Sequence, residues 1–125
     1  MSAPFLLITS HKIAPGRLDE FLEISRTYEE FIYANEPDLL GYSANLNEER
    51  DEVSLMHIYR NADAAEMHAQ LAAEKIREGL AVTETVRIEI LGNPGPALGQ
   101  AREANAANGV AVDLNPEALG GFTRN

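Results

Sequence analysis

His57-Ile-Tyr-Arg-Asn-Ala-Asp-Ala-Ala-Glu-Met-His68 is the stretch on which the fold turns. Upstream it completes Val53 to Tyr59 (VSLMHIY), a run of strand composition whose residues 53, 55, 57 and 59 share one face while Ser54, Met56 and Ile58 share the other. Downstream, Asn61 or Asp63 can cap a helix that runs through Ala64, Ala65, His68, Leu71, Ala72 and Ile76, with Gly79 as its expected stop. A strand that delivers an aromatic residue straight into a helix carrying a histidine brings Tyr59 and His68 toward one pocket.

Working outward, Phe5 to Ile13 (FLLITSHKI) is a first strand, broken by Ala14-Pro15-Gly16. From Arg17 to about Asn35, Leu18, Phe21, Leu22, Tyr28, Phe31 and Ile32 recur at helical spacing between acidic residues, and Pro37 stops the helix. Gly41 to Asn47 alternates and forms a hairpin with Val53 to Tyr59 across the charged turn Glu48 to Glu52, and Thr85 to Leu91 (TVRIEIL) is a last alternating strand. The order β-α-β-β-α-β predicts an α+β, ferredoxin-like domain over residues 1–91: an antiparallel sheet with two helices on one face. The uncovered sheet face predicts a homodimer.

Residues 92–125 differ in composition and are expected to form a C-terminal extension. Gly92-Asn93-Pro94-Gly95-Pro96 is a linker, Ala97 to Asn108 is helix-compatible, and Val110 to Leu114 could add a short strand. A loosely packed tail is one expectation. Val110, Val112, Leu114, Leu119 and Phe122 give the segment something to bury, which favours an arm around a partner or a lid over the pocket.

Composition removes several function classes. The formal charge of −10, from 20 acidic and 10 basic residues, repels nucleic-acid phosphates and anionic membranes. No stretch is long and apolar enough to span a bilayer, and the start Met-Ser-Ala-Pro-Phe does not read as a signal peptide. The absence of cysteine excludes disulfides and thiolate chemistry, so a cytoplasmic protein is expected. No pair of histidines has metal-ligand spacing, and there is no nucleotide-binding glycine loop or serine-hydrolase elbow; no metal is expected.

Taken together, Pro15-Gly16 after the first strand, Glu36-Pro-Asp-Leu-Leu-Gly-Tyr42 entering the second, and Tyr59 nine residues before His68 resemble the antibiotic-biosynthesis-monooxygenase-like family. The resemblance covers roughly residues 5 to 91. It implies a dimeric α+β barrel with a pocket between sheet and helices in each subunit. It also implies oxygenases that work without a cofactor on polyketide anthrones and quinols, with haem-degrading enzymes as a further branch. The family oxygenases' usual tryptophan stands here as Tyr59, the anthrone oxygenases' asparagine as Leu55, and the haem branch's first-strand asparagine as Thr9.

A substrate that can reduce oxygen itself, such as a phenol, quinol or activated methylene, needs only to be held and deprotonated. A histidine titrates near neutral pH and suits that task. His68 is the first candidate for the base, with Tyr59 and His57 positioning the substrate if their strand face points toward the helices. Leu55, Tyr28, Thr9 and Phe21 are expected to line the pocket, and His11 carries little weight. A different function class stays open: a dimeric protein that binds a small aromatic or apolar ligand without turning it over, which the missing Trp and Asn favour. Haem degradation is a minor third possibility.

Overall fold

The computed structural model describes residues 2–124. The chain runs β1 (Phe5–Ile13), α1 (Leu18–Asn35), β2 (Leu39–Leu46), β3 (Glu52–Tyr59), α2 (Ala62–Leu71), α3 (Ala73–Leu80), β4 (Thr83–Leu91), α4 (Pro96–Ala107) and β5 (Ala111–Asn115). One sheet orders its strands β2-β3-β1-β4-β5. The first four are antiparallel, as the ferredoxin-like order requires. β5 makes the sheet mixed, because it lies parallel to β4. A parallel neighbour needs a crossover, and α4 supplies it.

The junction at residues 57–68 folds as its composition dictates. β3 ends at Tyr59, and the Asn61 side chain accepts the Ala64 backbone N–H at 2.9 Å to cap α2. The single second helix expected from spacing is broken at Ala72 into α2 and α3. Ala72 is fully buried, and its departure from helical geometry turns α3 without leaving a hydrogen-bond gap, since its N–H still meets the His68 carbonyl at 2.9 Å. At the β2–β3 turn, the Asn47 side chain accepts the backbone N–H groups of Asp51 and Glu52.

The helices α1 to α4 pack on one sheet face. That inner face carries Phe5, Leu7, Thr9 and His11 of β1 opposite Tyr59, His57, Leu55 and Val53 of β3. Ile88 and Ile90 of β4 continue it and are buried. Between Ser10 and His11 the β1–β4 register slips, so that His11 faces Thr85 and Val86 is the extra residue. A bulge reverses which residues of a strand face inward. Thr85 and Thr83 therefore join an inner face that an uninterrupted alternation from Ile88 would have denied them.

The C-terminal segment continues the same core. Leu98, Val110, Val112 and Leu114 pack against the cluster of Phe5, Tyr59, Ala65, Ile88 and Ile90. Glu66 of α2 accepts the Ala97 and Leu98 backbone N–H groups at 2.7 and 2.9 Å, which satisfies free donors at the start of α4. Gly95 is required beside it: a Cβ there would lie 2.6 Å from the Glu66 carboxylate. Among the described residues no helix is long and apolar enough to cross a membrane.

Candidate active site

Pro37 creates the first part of the site. The residue before a proline avoids helical geometry, so α1 ends and Glu36 adopts φ −127°, ψ 78°. Its side chain turns inward and is 7% exposed. His68 reaches it from α2, its Nδ1–H donating to the two carboxylate oxygens at 2.8 and 2.9 Å. The other ring nitrogen, Nε2, lies 3.0 Å from the Tyr28 hydroxyl of α1, which also lies 2.6 Å from Nε2 of His57 on β3. Four buried side chains, from α1, the residue that ends it, α2 and β3, thus form one chain: Glu36, His68, Tyr28, His57.

The direction of these bonds follows from what each atom has left. Nδ1 of His68 carries a proton, because a carboxylate only accepts. Nδ1 of His57 is buried without any partner. A buried acceptor without a donor is tolerated better than a buried N–H without an acceptor. Nε2–H of His57 therefore donates to the Tyr28 oxygen, and the Tyr28 O–H donates to Nε2 of His68. Burial, helped by His68 and His11, pulls the His57 pKa down to about 3 and keeps the ring neutral. Burial likewise pushes the Tyr28 phenol far above its ordinary value, with Tyr59, Tyr42 and Glu36 adding to the rise.

A cavity of about 470 Å³ lies against this chain. Tyr28, His57 and His68 contribute to its wall, together with Leu55, Thr9 and Phe21 and with Leu7, Ile24, Tyr42 and Ile76. Leu98 and Ala101 of α4 close part of it. Tyr59 is absent from that wall. It is fully buried behind His57, the two rings stacked at 5.8 Å and 5°, and its hydroxyl has no partner. The phenol that meets both histidines is Tyr28, not Tyr59.

Sequence reasoning missed Glu36 as a functional residue. An acidic residue beside Pro37 reads as an exposed helix exit, and nothing local announces that a histidine 32 positions later will bury it. The position of Tyr28 on the inner side of α1 was legible; its place between two histidines was not. Among the described residues, no group of three His, Cys, Asp or Glu side chains is placed to hold a metal ion.

The model of the antibiotic biosynthesis monooxygenase family matches residues 4–75, more than half of the chain and the part that builds this relay. The chain belongs to that family. No curated protein matches its sequence. Among solved structures, this antibiotic biosynthesis monooxygenase family member is similar to MupZ from Pseudomonas fluorescens, at 20% identity and a TM-score of 0.74, over 98% of this chain and 96% of that one. It is also similar to PA3566 from Pseudomonas aeruginosa (21% identity, TM-score 0.63, 73% and 94% covered). A structure described as an antibiotic biosynthesis monooxygenase is alike at 15% identity and TM-score 0.62, with 74% and 99% covered. At these identities the likeness is one of fold. The match to MupZ takes in α4 and β5.

Proposed function

We propose that this family member is a cofactor-independent monooxygenase acting on a small, largely apolar substrate that carries a phenol, quinol or activated methylene. The Glu36–His68–Tyr28 relay beside the cavity supports this most strongly. Both nitrogens of His68 are engaged within the protein, so His68 exchanges protons with the cavity only through Tyr28. The Tyr28 oxygen takes the substrate proton as its own hydrogen passes to Nε2 of His68, and the Glu36 carboxylate stabilises the imidazolium so formed. Because burial disfavours a free Tyr28 phenolate, the two transfers are concerted. His57 donates to the Tyr28 oxygen, Tyr59 holds the His57 ring plane by stacking, and Leu55 and Phe21 form apolar walls.

The deprotonated substrate then reduces oxygen itself. For an anthrone-type methylene the balance is CH2 + O2 → C=O + H2O. The engaged nitrogens of His68 also leave it no lone pair for a haem iron, which weighs against haem degradation. A second function, binding of a small apolar ligand without turnover, has in its favour the mostly apolar wall and the lack of tryptophan.

A homodimer goes with this proposal, because the outer sheet face carries Leu6, Ile8, Met56, Ile58 and Leu91, none of them covered by a helix of this chain. Cytoplasmic residence goes with it too, in keeping with a chain that has no cysteine to oxidise. Oxygen uptake by metal-stripped protein, measured over a panel of anthrones, hydroquinones and naphthols, tests the activity. Saturable uptake that falls at least about 100-fold in His68→Ala supports the oxygenase, on the usual scale of general-base catalysis. Binding of panel compounds with no uptake on any of them supports the ligand-binding function instead.

A further inference from the structure

The relay occupies one end of the cavity, and a second set of polar side chains, unused by that chemistry, occupies the other. Nδ1 of His11 lies 3.0 Å from the Thr85 hydroxyl and Nε2 lies 2.9 Å from the Thr9 hydroxyl. Thr9 and His11 both belong to the cavity wall. On β1, Leu7 sits opposite His57, and His11 is four residues further along. At strand rise that places Thr9 roughly 7 Å and His11 roughly 13 Å from Leu7 at backbone level. Leu7, Leu55, Phe21 and Ile24 supply apolar wall, and Ser25, Lys75 and Arg77 also line the cavity.

The cluster exists because of the register slip in β4. Without the extra residue at Val86, Thr85 would face outward and one His11 nitrogen would lack its partner. A bulge that re-aims one hydroxyl onto the ring of a cavity histidine is a specific local device. It leaves the Thr9 hydroxyl fixed in direction with bonding capacity unspent, since a hydroxyl can donate once and accept twice and the bond to His11 uses one of these. Burial holds His11 neutral, its pKa lowered to about 4, so the cluster offers hydrogen bonds but no charge.

We propose that Thr9, positioned by His11 and Thr85, binds an uncharged hydroxyl or carbonyl oxygen at the far end of an elongated apolar substrate whose reacting end lies at Tyr28. This substrate class rests on the oxygenase proposed above, but its test does not require turnover. Dissociation constants of 4-hydroxybiphenyl and 4,4′-dihydroxybiphenyl are measured under nitrogen, for the parent protein and for Thr9→Val, Thr9→Ser and Thr85→Val.

The second hydroxyl is expected to tighten binding about three- to tenfold in the parent, the range of one neutral hydrogen bond. That gain should vanish in Thr9→Val, return in Thr9→Ser, and shrink in Thr85→Val. Equal affinity for the two phenols in the parent overturns the proposal, as does a gain that survives in folded Thr9→Val. If Thr9→Val does not fold, Thr9→Ser and Thr85→Val still decide: the first must keep the gain and the second reduce it. A gain present in a protein that takes up no oxygen leaves this site standing and removes the oxygenase. Oxygen uptake with no gain does the reverse.

Discussion

Tyr28 is the residue on which the proposed chemistry depends. Its hydroxyl bridges the two histidines, whose Nε2 atoms lie 2.6 and 3.0 Å from it. Tyr28→Phe keeps the ring that packs with Ile32 and Ala72, but strands Nε2 of both histidines in a buried space. It should lower turnover at least about 100-fold and cost about 1–3 kcal/mol of stability, read from steady-state kinetics and denaturant unfolding. A variant as active as the parent would remove Tyr28 from the mechanism. His57 and His11 also predict how stability depends on pH. Burial lowers their folded pKa values to about 3 and about 4, below the 6.5 of an unperturbed histidine. Between those values and pH 6.5 the unfolded chain binds more protons than the folded one. The stability each neutral ring contributes is thus fully present above pH 6.5 and is lost as the pH falls, at up to about 1.4 kcal/mol per pH unit for each histidine. His11→Gln should flatten the curve between pH 6.5 and 4; an unchanged slope would contradict the assignment of His11 as a half-buried neutral ring.

At the scale of elements, α4 is held to α2 by Glu66, whose carboxylate accepts two backbone N–H groups at its start. Glu66→Ala should cost about 1–2 kcal/mol, in line with the loss of a helix cap. It should also speed proteolysis within residues 92–115 while β1 to β4 stay protected; equal protection of α4 in parent and variant would refute the role of Glu66. β1 was legible to the residue, because Pro15-Gly16 ends a run rich in strand formers, and α1, read from Arg17 to about Asn35, runs from Leu18 to Asn35. The break at Ala72 was not. Alanine is the best helix former, and what interrupts the helix is burial against Tyr28 and Ile32. The slip at Val86 was hidden for a similar reason: TVRIEIL alternates well enough that only pairing with β1 reveals the extra residue. The inner face of β3 could be read from alternation, which brought His57 and Tyr59 to the same side, but which ring fronts the cavity depends on depth along the sheet.

The whole molecule leaves one sheet face without helices, and Leu6, Ile8, Met56 and Ile58 from the two central strands lie on it. A charge placed there would be desolvated in a face-to-face dimer and hydrated in a monomer. Ile8→Lys should therefore shift the species seen by light scattering at micromolar concentration from dimer toward monomer with the fold retained; a parent that is already monomeric would contradict the dimer. The central claim concerns the proton that leaves the substrate before oxygen arrives, and it can be isolated from everything that follows. Hydrogen–deuterium exchange at the methylene of anthrone, followed by NMR in deuterated buffer under nitrogen, measures that step alone. The relay predicts exchange accelerated by the parent protein and slowed at least about 100-fold in both Tyr28→Phe and Glu36→Gln. Exchange at the buffer rate with anthrone bound, or acceleration undiminished in either variant, would contradict it.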